Sequence, residues 1–358
     1  MYAGPARNSY EAKCALNLAT ASFTRLGTDT TSNKDSKSFL LYQHPGFSEN
    51  STIVVCDGSG IVIASAFLIE CKMPVSSGIL NSFFISTVSV DEKFRGRGHS
   101  NLLMDAAIQK AINLGGDVAV VIARRAVDHY YTRFGFWGIS QYSKAIVEIS
   151  EAFHRGRQRS HLSVKPASIS NLFECAFLFG ETYKNLIGHC KRNNDAWLYI
   201  FEKVKYLGMR MSLLMENETV KAYAIHDWGG EVNELGLPIE GLTFDEIAVL
   251  LFSILPDTKS LTLNLPPAHP FFAMLEGLDF SITLRECPYG GHMVRVLNPK
   301  RVALLRSTVD RIDDASINPL LGFAETVAVM RVARLTDQGS ALSFSSAESF
   351  NIPLLDQI

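Results

Sequence analysis

Two arginines alternate with two glycines where a β-rich run of the sequence gives way to a helical stretch. They are Arg95, Gly96, Arg97 and Gly98, inside the segment "VSVDEKFRGRGHSNLLMDAAIQKA". Glycines at such a junction let the backbone turn tightly, so that successive N–H groups and the helix N-terminus can face an anion. The neighbouring guanidinium groups favour a diphosphate over a carboxylate. The loop is therefore predicted to bind a phosphate-bearing ligand.

The sequence around this loop predicts the elements that hold it. "STIVVCDGSGIVIASAFLIE" is typical of two strands that turn at residues 57–60, and "FFISTVSV" predicts a third strand leading into the loop. Beyond the loop, a helix ending at Gly115 and Gly116 is predicted to bury one apolar face, formed by Leu103, Ala107, Ile108, Ala111 and Leu114. "DVAVVIA" predicts a strand buried on both faces, and the aromatic segment "DHYYTRFGF" and the run "SKAIVEIS" close this unit near residue 150.

A similar order of elements recurs in the second half, which indicates an internal repeat. The pattern predicts a helical stretch over 167–206, a hairpin turning at residues 216–218, a helix at "TFDEIAVLLFSIL", a buried strand at "SLTLNL", the aromatic segment "HPFFAMLEGLDF" and the run "HMVRVLN". The segment "NELGLPIEGLTF" stands where the first half has its Arg/Gly loop, and it has no basic residue. The predicted organisation is a unit at 1–152, a linker at 153–165, a second unit at 166–298 and a helical segment of unassigned role at 299–358.

The charge, apolar stretches and cysteines of the sequence argue against several classes of function. The chain has 34 lysines and arginines against 36 aspartates and glutamates, so it lacks the broad basic field that nucleic-acid binding needs. No stretch resembles a secretory signal or a membrane span, and we expect a cytoplasmic protein. The six cysteines form no C-x-x-C pair, which predicts buried, reduced thiols without a zinc site or a disulfide framework. No metal is expected, and oligomerisation is left open.

These residues resemble a known family. The order of elements, with Val90-x-x-x-Phe94-Arg95-Gly96-Arg97-Gly98-x-Ser100 and Tyr130-Tyr131-x-x-Phe134-Gly135-Phe136, is similar to the GNAT N-acetyltransferase superfamily over residues 10–150. The family loop reads Gln/Arg-x-x-Gly-x-Gly/Ala, and Ser100 departs from it at the last place. The resemblance implies an α/β (α+β) fold of two tandem GNAT units, each a mixed, mostly antiparallel sheet flanked by helices. The second unit is degenerate, in an arrangement loosely similar to the enhanced-intracellular-survival type of aminoglycoside acetyltransferase.

The resemblance also implies an activity, the transfer of an acetyl group from acetyl-CoA to an amine of a small-molecule or peptide acceptor. The CoA diphosphate would lie on the amides of residues 96–101, and the pantetheine arm would pair with the strand at residues 88–90 like an added strand. The implied cofactor-binding residues are Val88, Ser89, Val90, Arg95, Gly96, Arg97, Gly98, His99, Ser100 and Asn101.

Acetyl transfer from a thioester needs a neutral amine, a donor for the developing oxyanion and a proton for the departing thiolate. The resemblance places the proton donor at Tyr131, with Tyr130 as its core neighbour. The glutamate that serves the family as base has no counterpart in "NSFFISTVSV". A water-relayed base and an amine that enters neutral both stay open, and other titratable candidates are Asp57, Glu70, Asp128, His129, Asp227 and Glu234, with Asp128 and His129 expected as helix caps.

Two alternatives remain. The missing glutamate favours a protein that binds acyl-CoA as a sensor or scaffold without transfer. The same fold is also compatible with a longer acyl group or with an acyl-carrier-protein donor. The intact loop and Tyr131 favour the enzyme.

Overall fold

The computed structural model describes residues 1–24, 43–75, 78–123, 127–148, 161–184, 186, 188–238, 241–254, 260–266, 269–275 and 282–306. The first half contains β1 (Tyr2–Pro5), α1 (Ser9–Thr24), β2 (Thr52–Cys56), β3 (Val62–Val75), β4 (Gly78–Val90), α2 (His99–Asn113), β5 (Val118–Ile122), α3 (Asp128–Thr132) and β6 (Trp137–Glu148). This order agrees with the elements predicted for the first half.

The second half repeats much of this order. It contains β7 (Leu162–Pro166), α4 (Leu172–Tyr183), α5 (Asn194–Tyr206), β8 (Arg210–Glu216), β9 (Thr219–His226), β10 (Glu231–Gly236), α6 (Phe244–Ile254), β11 (Ser260–Leu263), α7 (Pro270–Met274), β12 (Ile282–Val296) and α8 (Pro299–Arg306). The strand β7 lies inside the segment predicted as a linker, because it pairs with β8 at the edge of the sheet. Of the helical segment predicted at 299–358, the part after Arg306 lies outside the described residues.

The strands form one sheet whose order shows the internal repeat and an exchange of strands between the halves. The order is β1-β2-β3-β4-β5-β12-β6-β11-β10-β9-β8-β7. The pairs β4–β5 and β10–β11 are parallel, and the other pairings are antiparallel. The sequence suggested that β6 closes the first unit, but β6 pairs with β11 and β12, whereas β12 pairs with β5. Each half thus receives its last strand from the other.

Helices cover both faces of the first half of the sheet. The alanine-rich face of α1 packs on one face with side chains such as Val54 and Phe67, and α2 packs on the other face with side chains such as Ile85 and Phe136. The buried side chains of α2 recur at helical spacing and are Leu103, Met104, Ala107, Ile108 and Ala111. Leu114, predicted on this face, is 51% exposed because it is the C-cap residue of the helix.

A disulfide links the two halves, which corrects the prediction that the chain has none. Cys71 on β3 is bonded to Cys190, which lies 119 residues away between α4 and α5. Next to it, the amide of Lys191 donates to the carbonyl of Lys72 at 2.7 Å. This pairing could not be predicted from the sequence because the two thiols meet only through tertiary packing. Cys14, Cys56 and Cys175 are free, and the latter two are buried as predicted.

Candidate active site

The Arg/Gly loop joins β4 to α2 through a single turn of 3₁₀ helix. That turn spans Glu92–Phe94, and the side chain of Asp91 accepts a hydrogen bond from the amide of Lys93 at 2.9 Å. Gly96 has φ +75° and Gly98, the N-cap of α2, has φ +80°. A Cβ at either glycine would meet open space, so the backbone conformation and not crowding requires glycine here. This is the tight turn that the sequence predicted.

The amides of residues 96–100 are free to bind a ligand. Within the described part of the chain, none of these N–H groups has a backbone or side-chain acceptor, whereas the next amide, that of Asn101, donates to the carbonyl of Gly98 at 3.0 Å. The first amides of α2 belong to this set because a helix leaves its first N–H groups without internal partners. Their partial positive charge makes the loop an anion-binding site.

The loop forms the wall of a cavity of about 290 Å³. The lining residues are Val90, Phe94, Arg95, Gly96, Gly98, His99, Ser100, Asn101 and Arg133. Seven of the ten residues predicted to bind the cofactor thus meet at one cavity. Of the others, Arg97 carries its guanidinium 5.7 Å from the centre of the Phe94 ring, and Val88 and Ser89 lie farther back along β4.

Two buried polar atoms near this cavity have no hydrogen-bond partner among the residues that the structure describes. The Nδ1 atom of His99 is one, and this side chain is only 7% exposed. The other is the hydroxyl of Tyr130, whose pKa is raised by burial and lowered to a smaller extent by the side chain of Ser100. Such groups are costly to bury unless a ligand or water satisfies them. A ligand rich in phosphate and amide groups, such as acetyl-CoA, therefore fits the site.

Strands β4 and β5 separate beside this cavity. Their parallel pairing extends from Ser82 to Phe84 on β4 and does not continue along the described residues of β5. On the other side of β4, the register with β3 shifts at a bulge, where Thr87 has φ +49°. A β-branched residue rarely adopts this conformation, and such outliers cluster at functional sites. Val88 and Val90 lie beyond this bulge, past the last residue of β4 that pairs with the described part of β5.

Tyr131 lies on α3 in an aromatic cluster. Its ring centre is 5.1 Å from that of Tyr130 and 6.3 Å from that of Phe136, both in edge-to-face arrangements. Burial, with a smaller contribution from Tyr130, raises the pKa of Tyr131 to about 12. The phenol is therefore protonated at neutral pH, as a proton donor must be.

Comparison with known sequences identifies the first half. The profile of the Acetyltransferase (GNAT) domain matches residues 9–140. This part of the chain is a GNAT domain. No curated protein sequence matches the chain at a significant level.

Solved structures extend the likeness beyond the GNAT domain. A GCN5-related N-acetyltransferase from Anabaena variabilis ATCC 29413 superimposes with a TM-score of 0.62 and 13% identity over 84% of this chain and 74% of that one. One from Kribbella flavida gives a TM-score of 0.60 and 15% identity, with 82% and 71% covered. Eis1 from Mycobacterium abscessus gives 0.59 and 15%, with 85% and 76% covered. At these identities the likeness shows a shared fold, and it spans both halves.

The acidic residues considered as general bases of the GNAT domain have structural contacts instead. Asp57 accepts hydrogen bonds from the amides of Ser59 and Ile61 in the β2–β3 turn, and Asp227 accepts from two amides in the β9–β10 turn. Glu70 is exposed and pairs with Lys72. Glu234 is fully buried in an ion pair with Arg192.

The remaining candidates lie at the start of α3. The N-cap position of this helix is Val127, so neither Asp128 nor His129 occupies the capping position expected for them. His129 is exposed. The side chain of Asp128 lies outside the described part of the structure.

Two cavity residues were absent from the predicted cofactor set. Phe94 forms part of the wall, and the Arg133 guanidinium lies 4.6 Å from the centre of the Tyr130 ring. Phe94 belonged to the loop motif already quoted, so its position could have been found. Arg133 had no such signal, because α3 must fold back toward the loop before this side chain reaches the cavity.

Proposed function

We propose that the protein is an N-acetyltransferase that moves an acetyl group from acetyl-CoA to the amine of a small-molecule or peptide acceptor by direct attack. The observation that carries this proposal is the run of free amides at residues 96–100, at the mouth of a cavity beside two separating strands. Together these features provide a place for a diphosphate and, next to it, an unpaired strand edge for an extended arm.

Each part of the acetyl-CoA molecule can be matched to residues of this chain. The amides of residues 96–100 bind the diphosphate, and the charges of Arg95 and Arg97 favour it. Arg95 already donates from Nε to the carbonyl of Val90 at 3.2 Å, which holds its side chain at the loop. The separated edge of β4 at Val88 and Val90 binds the pantetheine amides as an added strand. Acetyl-CoA supplies the activated acetyl thioester.

The bulge in β4 gives the site an oxyanion donor. At a bulge a backbone N–H leaves the regular ladder and can point toward a bound group. A fixed amide that donates to the thioester carbonyl oxygen stabilises the negative charge that develops there during attack, without any reorganisation of solvent. In this proposal the donor comes from the segment at Thr87 and Val88.

Tyr131 protonates the departing thiolate, since its buried phenol holds a proton throughout the neutral range. Four of the acids considered as bases have contacts that hold them elsewhere, and they are Asp57, Glu70, Asp227 and Glu234. The proposal therefore has the acceptor amine enter neutral or lose its proton through water.

The test compares two single-atom deletions on neighbouring tyrosines. Tyr131→Phe should lower kcat by about 10²–10⁴-fold, the usual contribution of a positioned general acid, and should barely change acetyl-CoA affinity. Tyr130→Phe is the comparison on the neighbouring ring: removal of a hydroxyl that the ligand satisfies should weaken acetyl-CoA binding and leave kcat nearly unchanged. Steady-state kinetics give kcat, and calorimetry gives affinity. Parental turnover in both variants would reject Tyr131 as the acid.

One observation favours a second candidate, a protein that binds acyl-CoA without transferring the acyl group. The GNAT domain has no glutamate on β4, and four of the other acids considered, Asp57, Glu70, Asp227 and Glu234, are engaged elsewhere. Thiol release in the presence of amines distinguishes the candidates, because a binding protein releases none. The same assay with longer acyl-CoA donors defines the acyl group.

A further inference from the structure

The strand exchange places a strand of the second half beneath the segment that carries Tyr131. The chain leaves the sheet at the end of β5, passes through α3 and returns at the start of β6. The exchanged strand β12 lies between these two strands, with Arg295 opposite Ala119 on β5 and Val294 opposite Trp137 on β6. The crossover that contains Tyr131 therefore spans β12.

Arg295 on β12 contacts this crossover directly. Its Nη1 atom donates a hydrogen bond to the carbonyl oxygen of Phe134 at 2.7 Å, across 161 residues of sequence. Its aliphatic stem lies 3.8 Å from the position that a Cβ would take at Gly135. The residue thus holds the turn between α3 and β6 by both a hydrogen bond and packing.

The contacted turn is coupled to Tyr131 through the backbone. The carbonyl oxygen of Tyr131 accepts hydrogen bonds from the amides of Phe134 at 3.0 Å and of Phe136 at 3.3 Å. Gly135 between them has φ +76°. A movement of the Phe134 peptide therefore changes the position of the Tyr131 backbone, and its ring with it.

The guanidinium of Arg295 is partly buried, and a carboxylate acts on it from α2. Burial lowers the pKa of this guanidinium, and the carboxylate of Asp105 on α2 opposes that effect. Arginine remains charged in proteins, so the bond to Phe134 is charge-assisted and stronger than a neutral one. A lysine retains one charged donor in this place, and a methionine retains only the packing.

We infer that Arg295 is a positioning residue through which the second half holds Tyr131 for acid catalysis in the first half. This inference rests on the proposed function. It gives the degenerate half a direct part in the reaction, since β12 belongs to that half in sequence and to the first half in the sheet.

The experiment measures kcat, KM and acetyl-CoA affinity for Arg295→Met and Arg295→Lys. We expect Arg295→Met to lower kcat by about 10- to 100-fold, the effect of a small misplacement of a catalytic group. Acetyl-CoA affinity should stay within about twofold, because the diphosphate loop is untouched. Arg295→Lys should recover most of kcat. Arg210→Met is the control, since this arginine lies over the exposed Trp228 ring in the second half.

The double variant Tyr131→Phe/Arg295→Met distinguishes a loss of kcat through Tyr131 from a loss caused by general damage to the structure. In the Tyr131→Phe background, Arg295→Met should cause almost no further loss, because residues that act as a unit are not additive. A folded Arg295→Met protein with parental kcat, or a loss that multiplies with that of Tyr131→Phe, overturns the inference. If Arg295→Met does not fold, Arg295→Gln, which stays polar but loses the charge and the reach of the guanidinium, allows the same comparison, and parental kcat in that variant overturns the inference. If Tyr131→Phe alone is fully active, the proposed acid fails regardless of Arg295.

Discussion

Replacement of Arg192 should strongly destabilise the fold, because it leaves the Glu234 carboxylate buried without its counter-ion. The side chains of Arg192 and Glu234 are 2% and 0% exposed. Two hydrogen bonds of 2.8 and 2.6 Å join them, and the hydroxyl of Tyr223 donates to the same carboxylate at 2.8 Å. The guanidinium also lies 3.9 Å from the centre of the Phe179 ring.

The magnitude follows from the loss of one partner of a desolvated pair. Arg192→Met keeps apolar volume beside Phe179 but leaves the carboxylate with Tyr223 as its remaining donor among the hydrogen bonds given above. Breaking a buried ion pair in this way costs about 3–5 kcal/mol of unfolding free energy. The double variant Arg192→Met/Glu234→Leu removes both charges and should regain most of that loss.

Urea denaturation followed by circular dichroism measures these free energies. Lys72→Met is the control, because the Lys72–Glu70 pair is about half exposed and should contribute at most about 1 kcal/mol. A loss below about 1 kcal/mol for Arg192→Met would show that the Glu234 carboxylate does not depend on Arg192 in the folded protein. It would then return as a candidate general base.

Three further changes test other parts of the account. Gly98→Glu should weaken acetyl-CoA binding by at least about tenfold, because it places a carboxylate next to the diphosphate. Calorimetry measures the affinity. Gly60→Glu, at a similar φ of +86° in the β2–β3 turn, is the control and should leave binding unchanged. Burial lowers the pKa of both His269 and His292 to about 4. Their contribution to the unfolding free energy should therefore be complete above about pH 6.5 and should fall by up to about 3 kcal/mol per histidine as the pH drops toward 4. An unfolding free energy that does not change between these pH values would contradict this. Cys71→Ser should lower the unfolding free energy by about 2–4 kcal/mol, and peptide mapping without reductant should show the link to Cys190 in the parent.

Much of the fold could be predicted because its signals are local. Two β-rich runs on either side of a glycine turn marked the β2–β3 hairpin, and helical spacing marked the buried face of α2. The loop at Gly96 and Gly98 could be predicted because positive φ favours glycine. These features depend on residues within a few positions of one another, so the sequence alone contains them.

The strand exchange and the links between the halves could not be predicted in the same way. β5 is an apolar run and β12 is a mixed one, and no local feature of either sequence indicates that they pair with each other rather than each within its own half. The Cys71–Cys190 bond and the contact of Arg295 with Phe134 connect residues 119 and 161 positions apart. These residues meet only when the two halves pack together, and the spacing of apolar residues along the sequence carries no information about that packing.

The most direct test of the central claim is to mix the purified full-length protein with acetyl-CoA and a panel of small-molecule and peptide amines. Free thiol is followed over time, and the amine products are weighed by mass spectrometry. The account predicts thiol release that depends on a particular amine, one acetylated amine formed per thiol, and loss of this turnover in Tyr131→Phe. Acetyl-CoA that binds but yields no amine-dependent thiol with any acceptor would contradict the transferase and favour the acyl-CoA-binding protein.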